Sequence, residues 1–309
     1  MDILNLIHLA NGTNREHYSS RQLRRERVMR DRNNPMEIYS EDEFRIRYRF
    51  SKSGFVRILN RIGDEIKHLD GRGLPLTTEQ QLLTALRFYA TGSYRRVAGD
   101  LIGVHVSTVC RTIQNVSKAL VHLKNAEIVF PTESELTSVK HDFSVICDGK
   151  MKIRNIVARW PGSTHDGRIF SNGSIKEKLH RGYCNGYLVG DGGYPCLPYL
   201  TTPFLHPQNR GERRYNKAHS RARNIVERLF GVWKRRFPCM GSCLRTKLDN
   251  TLNIIIATAI LHNWAIDFKE EEFLIEHSNE EREEECSTMN EQSSSGSALR
   301  RSIVPQHFT

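Results

Sequence analysis

Two carboxylates stand in settings that could hold a divalent cation. Asp191 ends the apolar stretch of GYLVGDGGYP and is followed by Gly192 and Gly193. An acid at the C-terminal end of a strand reaches into the crevice where α/β sheets bind ligands, and small neighbours leave room for a metal and a substrate. Glu227 follows thirty-six residues later in ARNIVERLFGVWKRRF, where Val226, Leu229, Phe230, Trp233 and Phe237 make a core stripe at helical spacing. It falls at the margin of that stripe, one turn before Gly231, with Arg228, Lys234 and Arg235 nearby to attract phosphates. A strand-end acid paired with a helical glutamate suits a two-metal site, where carboxylates hold hard cations that activate water and stabilise a leaving oxygen. The same residues also read as a turn aspartate and a solvated glutamate paired with arginine, and spacing alone does not choose between the two.

The elements that would position these acids come after a helical region. Glu41 to Ile66 reads as helical, with Phe44, Tyr48, Phe55, Ile58 and Ile62 at roughly helical spacing, and it follows the arginine-rich block RQLRRERVMRDR at 21–32. Thr77 with Gln80 predicts a capping box, and Gly92 closes that helix. Ser93 and Ser107 are predicted to cap two more, with Gly103 between them. On the third helix Val109, Ile113, Val116 and Leu120 share one face, leaving Thr108, Arg111, Thr112, Asn115 and Lys118 on the other. Two helices around a glycine turn, the second with a polar and basic face, suit a helix-turn-helix in a major groove. A purely structural three-helix bundle is the alternative. Beyond a linker at 130–136 the pattern turns to strands: Phe143, Val145 and Cys147 alternate, 153–160 gives the return strand of a hairpin, and 186–190 leads into Asp191.

Charge narrows the range of partners. The 309 residues are 38% hydrophobic and 26% charged, ordinary for a globular chain, but the net charge is +11. Between Asp267 and Glu291 lie eleven acids against Lys269 and Arg282, and Arg300 and Arg301 follow, so residues 1–266 carry +18. A body this basic attracts polyanions, nucleic acid first among them. Seven cysteines without regular spacing predict reduced thiols, and Cys239 with Cys243 completes no zinc tetrad. The longest apolar run, 254–266, is too short to span a bilayer, so no membrane partner is expected. Residues 269–309, Glu-rich and then Ser-rich, read as a solvated, disordered tail.

The runs RWPGSTHDGRIF (159–170), YLVGDGGYP (187–195), RRYNKAHSRARNIVERLFGVWKRRF (213–237) and IATAILHNW (256–264) closely resemble the PIF/Harbinger DDE transposases and the nucleases derived from Harbinger transposases. The resemblance covers about 143–267. It implies an α/β chain: an RNase H-like DDE nuclease domain over 137–268 preceded by an all-α helix-turn-helix region over 67–125, with a basic helical segment at 1–66 and the tail at 269–309. It implies phosphodiester cleavage of DNA with Mg²⁺ or Mn²⁺, Asp191 as second and Glu227 as third catalytic acid. A Myb/SANT-type DNA-binding partner and a location in the nucleus, with or without the cytoplasm, also follow from it. The family's first catalytic aspartate lies on a strand upstream of the hairpin, whereas FSVICDGKMKIRNIVARWPG matches the later hairpin directly, so that first strand reads as absent. Asp148, in CDGKMKI, is the substitute candidate. Asp166 reads as the end of a capping box begun by Ser163, and His165 and His219 read either as phosphate neighbours or as surface histidines. The alternative function is a non-catalytic DNA-binding or partner-binding protein that keeps the transposase fold.

Overall fold

The computed structural model describes residues 34–67, 75–92, 103–128, 139–142, 145–156, 174–181, 187–241, 244, 246–271 and 293–308. The arginine block at 21–32, the helix expected from Ser93, and the WPGS run with Asp166 and His165 lie outside them. Helices α1 (Pro35–Ile38), α2 (Glu41–Tyr48), α3 (Lys52–Ile66), α4 (Thr78–Thr91), α5 (Val106–His122) and α6 (Lys124–Glu127) precede the sheet. The expected single stretch from Glu41 to Ile66 is two helices. Arg49 turns left-handed at φ 68°, and Ser51 starts the second by accepting a bond from Gly54 N. Thr77 and Gln80 form the predicted capping box of α4, and Gly92 ends it at φ 62°. The α5 cap is His105, whose Nδ1 accepts from Ser107 N, rather than Ser107 itself.

Helix α5 buries Val109, Ile113, Val116 and Leu120 and exposes Arg111, Asn115 and Lys118. Thr112, expected on the outer face, is buried, because α4 and a later helix, α9 (Leu248–Asp267), flank α5 and cover more than its apolar stripe. Buried polar groups are paired across helices. Tyr89 and Ser117 hydroxyls meet at 2.7 Å, and Gln81 Nε2 donates to Ile66 O and Leu76 O.

The sheet contains β1 (Val139–Asp142), β2 (Val145–Asp148), β3 (Ile153–Ile156), β4 (Leu188–Val189) and β5 (Leu200–Thr201), in the order β3-β2-β1-β4-β5. The β1–β2 and β2–β3 pairs are antiparallel, while β1–β4 and β4–β5 are parallel. A central strand therefore occupies the position that the sequence reading leaves empty. VKHD contains one apolar residue and no alternation, so nothing in its pattern marks a strand; backbone pairing on both sides defines it. Across β2, Val145 and Cys147 enter the main core, and Ile146 joins a smaller cluster with Leu179, Leu188, Tyr194 and Leu200 on the other face.

Four further helices complete the described chain: α7 (Ser174–His180), α8 (Arg210–Arg236), α9 (Leu248–Asp267) and α10 (Ser294–His307). The main core joins residues of α2 to α5, β2, β3, α8 and α9, and residues 33–309 form one compact unit. None of the described helices is long and apolar enough to cross a membrane. The expectation of a disordered tail over 269–309 is corrected at both its ends. Glu270 accepts from Ser51 N at 3.0 Å and Ser51 Oγ at 2.6 Å, closing the start of α3. Helix α10 docks on α8 and β5: Arg300 donates to Thr202 O and Pro203 O, and Gly296 lies so close to Cys196 and Leu197 that no Cβ would fit. The serine-rich composition hides one small residue and one arginine, each with a specific place.

Two measurements check this packing. A Cβ at Gly54 would collide with the Glu270 carboxylate. Ala normally favours a helix interior over Gly by about 1 kcal/mol. Gly54→Ala should therefore stabilise the chain only when Glu270→Ala is also present, with a non-additivity of about 1–2 kcal/mol in urea unfolding; additive effects would contradict the contact. His262 is fully buried and donates from Nε2 to Met151 O at 2.9 Å, and desolvation holds it down from 6.5 to about 4. Its folded-state value is depressed, so its contribution is complete above about 6.5 and is lost as pH falls towards about 4. His262→Gln should flatten the stability profile between those values, and an unchanged acid slope would contradict the assignment.

Candidate active site

Asp191 follows β4 and is half-buried. Its Oδ1 accepts Gly193 N at 2.8 Å and its carbonyl accepts Tyr194 N at 3.3 Å, so the acid organises the turn it begins. At Gly190 an added Cβ would come within 3.1 Å of both Leu200 and Tyr194, which leaves glycine the residue that fits beneath the turn without displacing them. The turn thus uses one carboxylate oxygen and leaves the other without a hydrogen bond from the described residues. By register, Lys140 pairs with Val189, so Asp142, two residues on at the end of β1, stands level with Asp191. The sequence reading missed this position because β1 itself carries no strand signal.

Glu227 sits on α8 with a side chain 57% exposed, and its Oε1 takes a 3.3 Å bond from Arg223, one turn earlier. An exposed pair of this kind holds the carboxylate only loosely. Arg228 and Lys234 are exposed beside it, and Arg235 is half-buried. Asp148, the substitute first acid, is committed elsewhere. Its Oδ1 accepts Lys150 N at 2.9 Å and Lys152 N at 3.0 Å, and its Oδ2 accepts Arg154 Nε at 2.8 Å. Both oxygens serve the hairpin between β2 and β3, and the side chain is only 13% exposed. A ligand that must face a cation with free lone pairs does not fit there.

The support for α8 comes from residues the sequence reading did not single out or placed at the surface. His219 is buried, with Nε2 donating to Thr201 O at 3.2 Å, so it is neither a surface histidine nor a phosphate neighbour. Tyr215 Oη donates to Thr202 O at 3.3 Å. Asn216 accepts from Phe204 N at 2.9 Å and donates to Phe204 O at 2.8 Å, as a neighbouring strand would. Together with Arg300 these bonds fix the first half of α8 to the exit of β5. The only signal in the sequence is polar residues placed on the inward side of a helix, in RRYNKAHS.

Hard cations take six or more oxygen ligands, and an in-line two-metal mechanism needs carboxylates from several elements at once. Among the described residues no group of three or more His, Cys, Asp or Glu side chains is placed to hold a metal ion. Asp191 and Glu227 have the right donor chemistry, but two carboxylates alone are too few for a two-ion site. Cys239 is no ligand candidate either, since burial pushes its thiol up to about 12. Arg111, Asn115 and Lys118 stand apart from both acids in sequence, in one row along the exposed side of α5.

Residues 133–263 match the family model of the DDE superfamily endonucleases. The chain is 26% identical over 283 residues to the protein named "Putative nuclease HARBI1" of Mus musculus, covering 75% of this chain and 81% of that one. Its counterpart in Xenopus laevis is 23% identical, over 85% of this chain and 89% of the relative. "Protein ALP1-like" of Arabidopsis thaliana is 24% identical over 65% of this chain and 64% of its own length. No solved structure matches the chain. The matched stretch contains the Asp191 turn, all of α8, most of α9 and the whole sheet, so this part of the chain is similar to the DDE superfamily endonucleases, and most of the chain is similar to proteins named as putative nucleases.

Proposed function

We propose that this chain is a transposase-derived DNA-binding protein of nuclease fold, whose own set of metal-binding acids is incomplete. The observation that carries this is the state of the three candidate acids. Asp191 has an oxygen to offer, Glu227 is exposed and loosely paired, and Asp148 has both oxygens taken by its hairpin. Asp191 and Glu227 are the second and third catalytic acids, and Mg²⁺ or Mn²⁺ is the cation they suit, being oxygen donors. The sheet, antiparallel on one flank and parallel on the other, supports an RNase H-like reading of the domain. The family's first-acid motif is absent, since the hairpin around Asp148 corresponds to the later one, and β1 fills the central place in the sheet without that motif.

Helix α5 is the second helix of a helix-turn-helix and presents Arg111, Asn115 and Lys118 to duplex DNA. The net charge of +11 supports a polyanionic partner. A Myb/SANT-type protein as partner and a nuclear location, with or without the cytoplasm, complete the reading. One observation favours a catalytically competent chain instead: by backbone register Asp142 stands level with Asp191 on the adjacent strand.

Plasmid nicking with Mg²⁺ or Mn²⁺ separates these readings. The chain as it stands should give background nicking that Asp191→Ala does not change. A chimaera with a relative's first strand inserted ahead of residue 137 should nick, and Asp191→Ala or Glu227→Ala in it should lower the rate by at least about 10²-fold, while Asp148→Ala leaves it intact. Efficient nicking by the original chain, abolished by Asp142→Ala or Asp148→Ala, would overturn the proposal.

A further inference from the structure

Helix α8 has 27 residues and, at 1.5 Å per residue, is about 40 Å long. At 3.6 residues per turn, Arg210, Arg213, Arg214, Lys217, Arg221 and Arg228 fall within a sector about 100° wide. All six are exposed. The two acids of the helix lie outside that sector: Glu212 accepts a bond from Gln208 N, and Glu227 is bonded to Arg223. Arg210, Arg213, Lys217 and Arg228 form no ion pair among the described residues. Like charges three and four residues apart oppose helix formation. Here the opposite side of the helix compensates, with Tyr215, Val226, Leu229 and Trp233 buried and the bonds from Tyr215, Asn216 and His219 to the exit of β5. The result is a row of exposed cations on the side of the helix away from the core.

We propose that this face of α8 is a rail for the sugar-phosphate backbone of duplex DNA, distinct from the groove-facing side of α5. The proposal rests on the reading of the chain as a DNA-binding protein and adds the surface that supplies most of the binding charge. Charge complementarity selects a polyanion, and the absence of stacking groups selects a duplex. Single strands are held by aromatic side chains on which bases stack. The aromatic residues of α8 are Tyr215 and Trp233, both buried, and Phe230, half-buried, and none lies in the cationic sector. A duplex carries a phosphate every ~1.7 Å of its axis, so a row about 40 Å long can meet several phosphates without distorting it. Glu227 flanks the row, so a backbone seated there passes within about a turn of the third candidate acid.

The test is fluorescence anisotropy of a labelled duplex of about 20 base pairs with the full chain, across about 50–300 mM NaCl. Each phosphate contact contributes about 0.9 to the slope of log affinity against log salt. The variant with Arg210→Gln, Arg213→Gln, Lys217→Gln and Arg228→Gln should flatten that slope by up to about 3.6 and lower affinity by at least about 30-fold at 100 mM. Glutamine keeps helix propensity and all four sites are exposed, so the thermal midpoint should not move. Replacing the three arginines with lysine should keep the slope. A four-site variant with wild-type slope and affinity would overturn the rail, while a loss on Arg111→Ala with Lys118→Ala would show that the chain still binds DNA through α5. Equal or tighter binding of a single strand of the same length would overturn the choice of duplex. A wild-type chain with no salt-dependent affinity for either would overturn the DNA-binding reading and the rail together.

Discussion

The amide of Asn263 is the bond on which the arrangement of this molecule depends. It accepts Ile153 N at 2.8 Å, donates to Ile153 O at 2.8 Å, and reaches Glu127 O at 3.3 Å. Strand β3 is the edge of the sheet, and an edge buried without partners would leave an N–H and a C=O unsatisfied, each costing on the order of 1–3 kcal/mol. One side chain of α9 acts there as the missing strand. Around it Ile260, Leu261 and Trp264 are fully buried, and the adjacent His262 holds the hairpin at Met151. Because α9 packs on α5 as well as on β3, the helix with the exposed Arg111, Asn115 and Lys118 row and the sheet that leads to Asp191 share one core.

This shared core explains why short polar contacts at its rim carry so much of the positioning. Glu270, just past α9, closes the start of α3, and Arg236, at the end of α8, donates to Arg49 O and Glu271 O. Arg57 and Arg61 lie over the rings of Phe268 and Trp264. Glu270 and Arg236 meet backbone groups near helix ends that would otherwise lack a partner, while Arg57 and Arg61 meet ring faces. The same device recurs at the other end of α8, where Asn216 and Arg300 satisfy the irregular chain leaving β5.

Local signals were legible in the sequence wherever the local chain decides the outcome. The Thr77–Gln80 box, the left-handed Gly92, the apolar stripe of α5 and the strand end at Asp191 all depend on residues within a turn or two of one another. What was not legible depends on distant partners. VKHD becomes a strand because β2 and β4 lie on either side of it, not through its own pattern. The break at Arg49, the docking of the serine-rich α10 and the inward-facing His219 require knowledge of what packs against them. The site is an exception to this rule: the partners of Asp148 lie within six residues, yet which of its oxygens each takes follows from the turn geometry of the hairpin, which the sequence pattern does not specify.

The proposed function therefore turns on how firmly Asp191 and Glu227 can hold a cation. Asp191 has an open oxygen at the end of a strand and Glu227 lies on an exposed helix face, a pair of ligands that under the proposal would hold a cation only loosely. Titration of Mn²⁺ into the full chain, followed by the electron paramagnetic resonance of the free ion, measures this without reference to any cleavage. The account predicts one weak ion, with a dissociation constant on the order of millimolar, weakened further by Asp191→Ala. Two ions bound with constants on the order of 10 µM would contradict it, because that affinity needs a complete set of carboxylates.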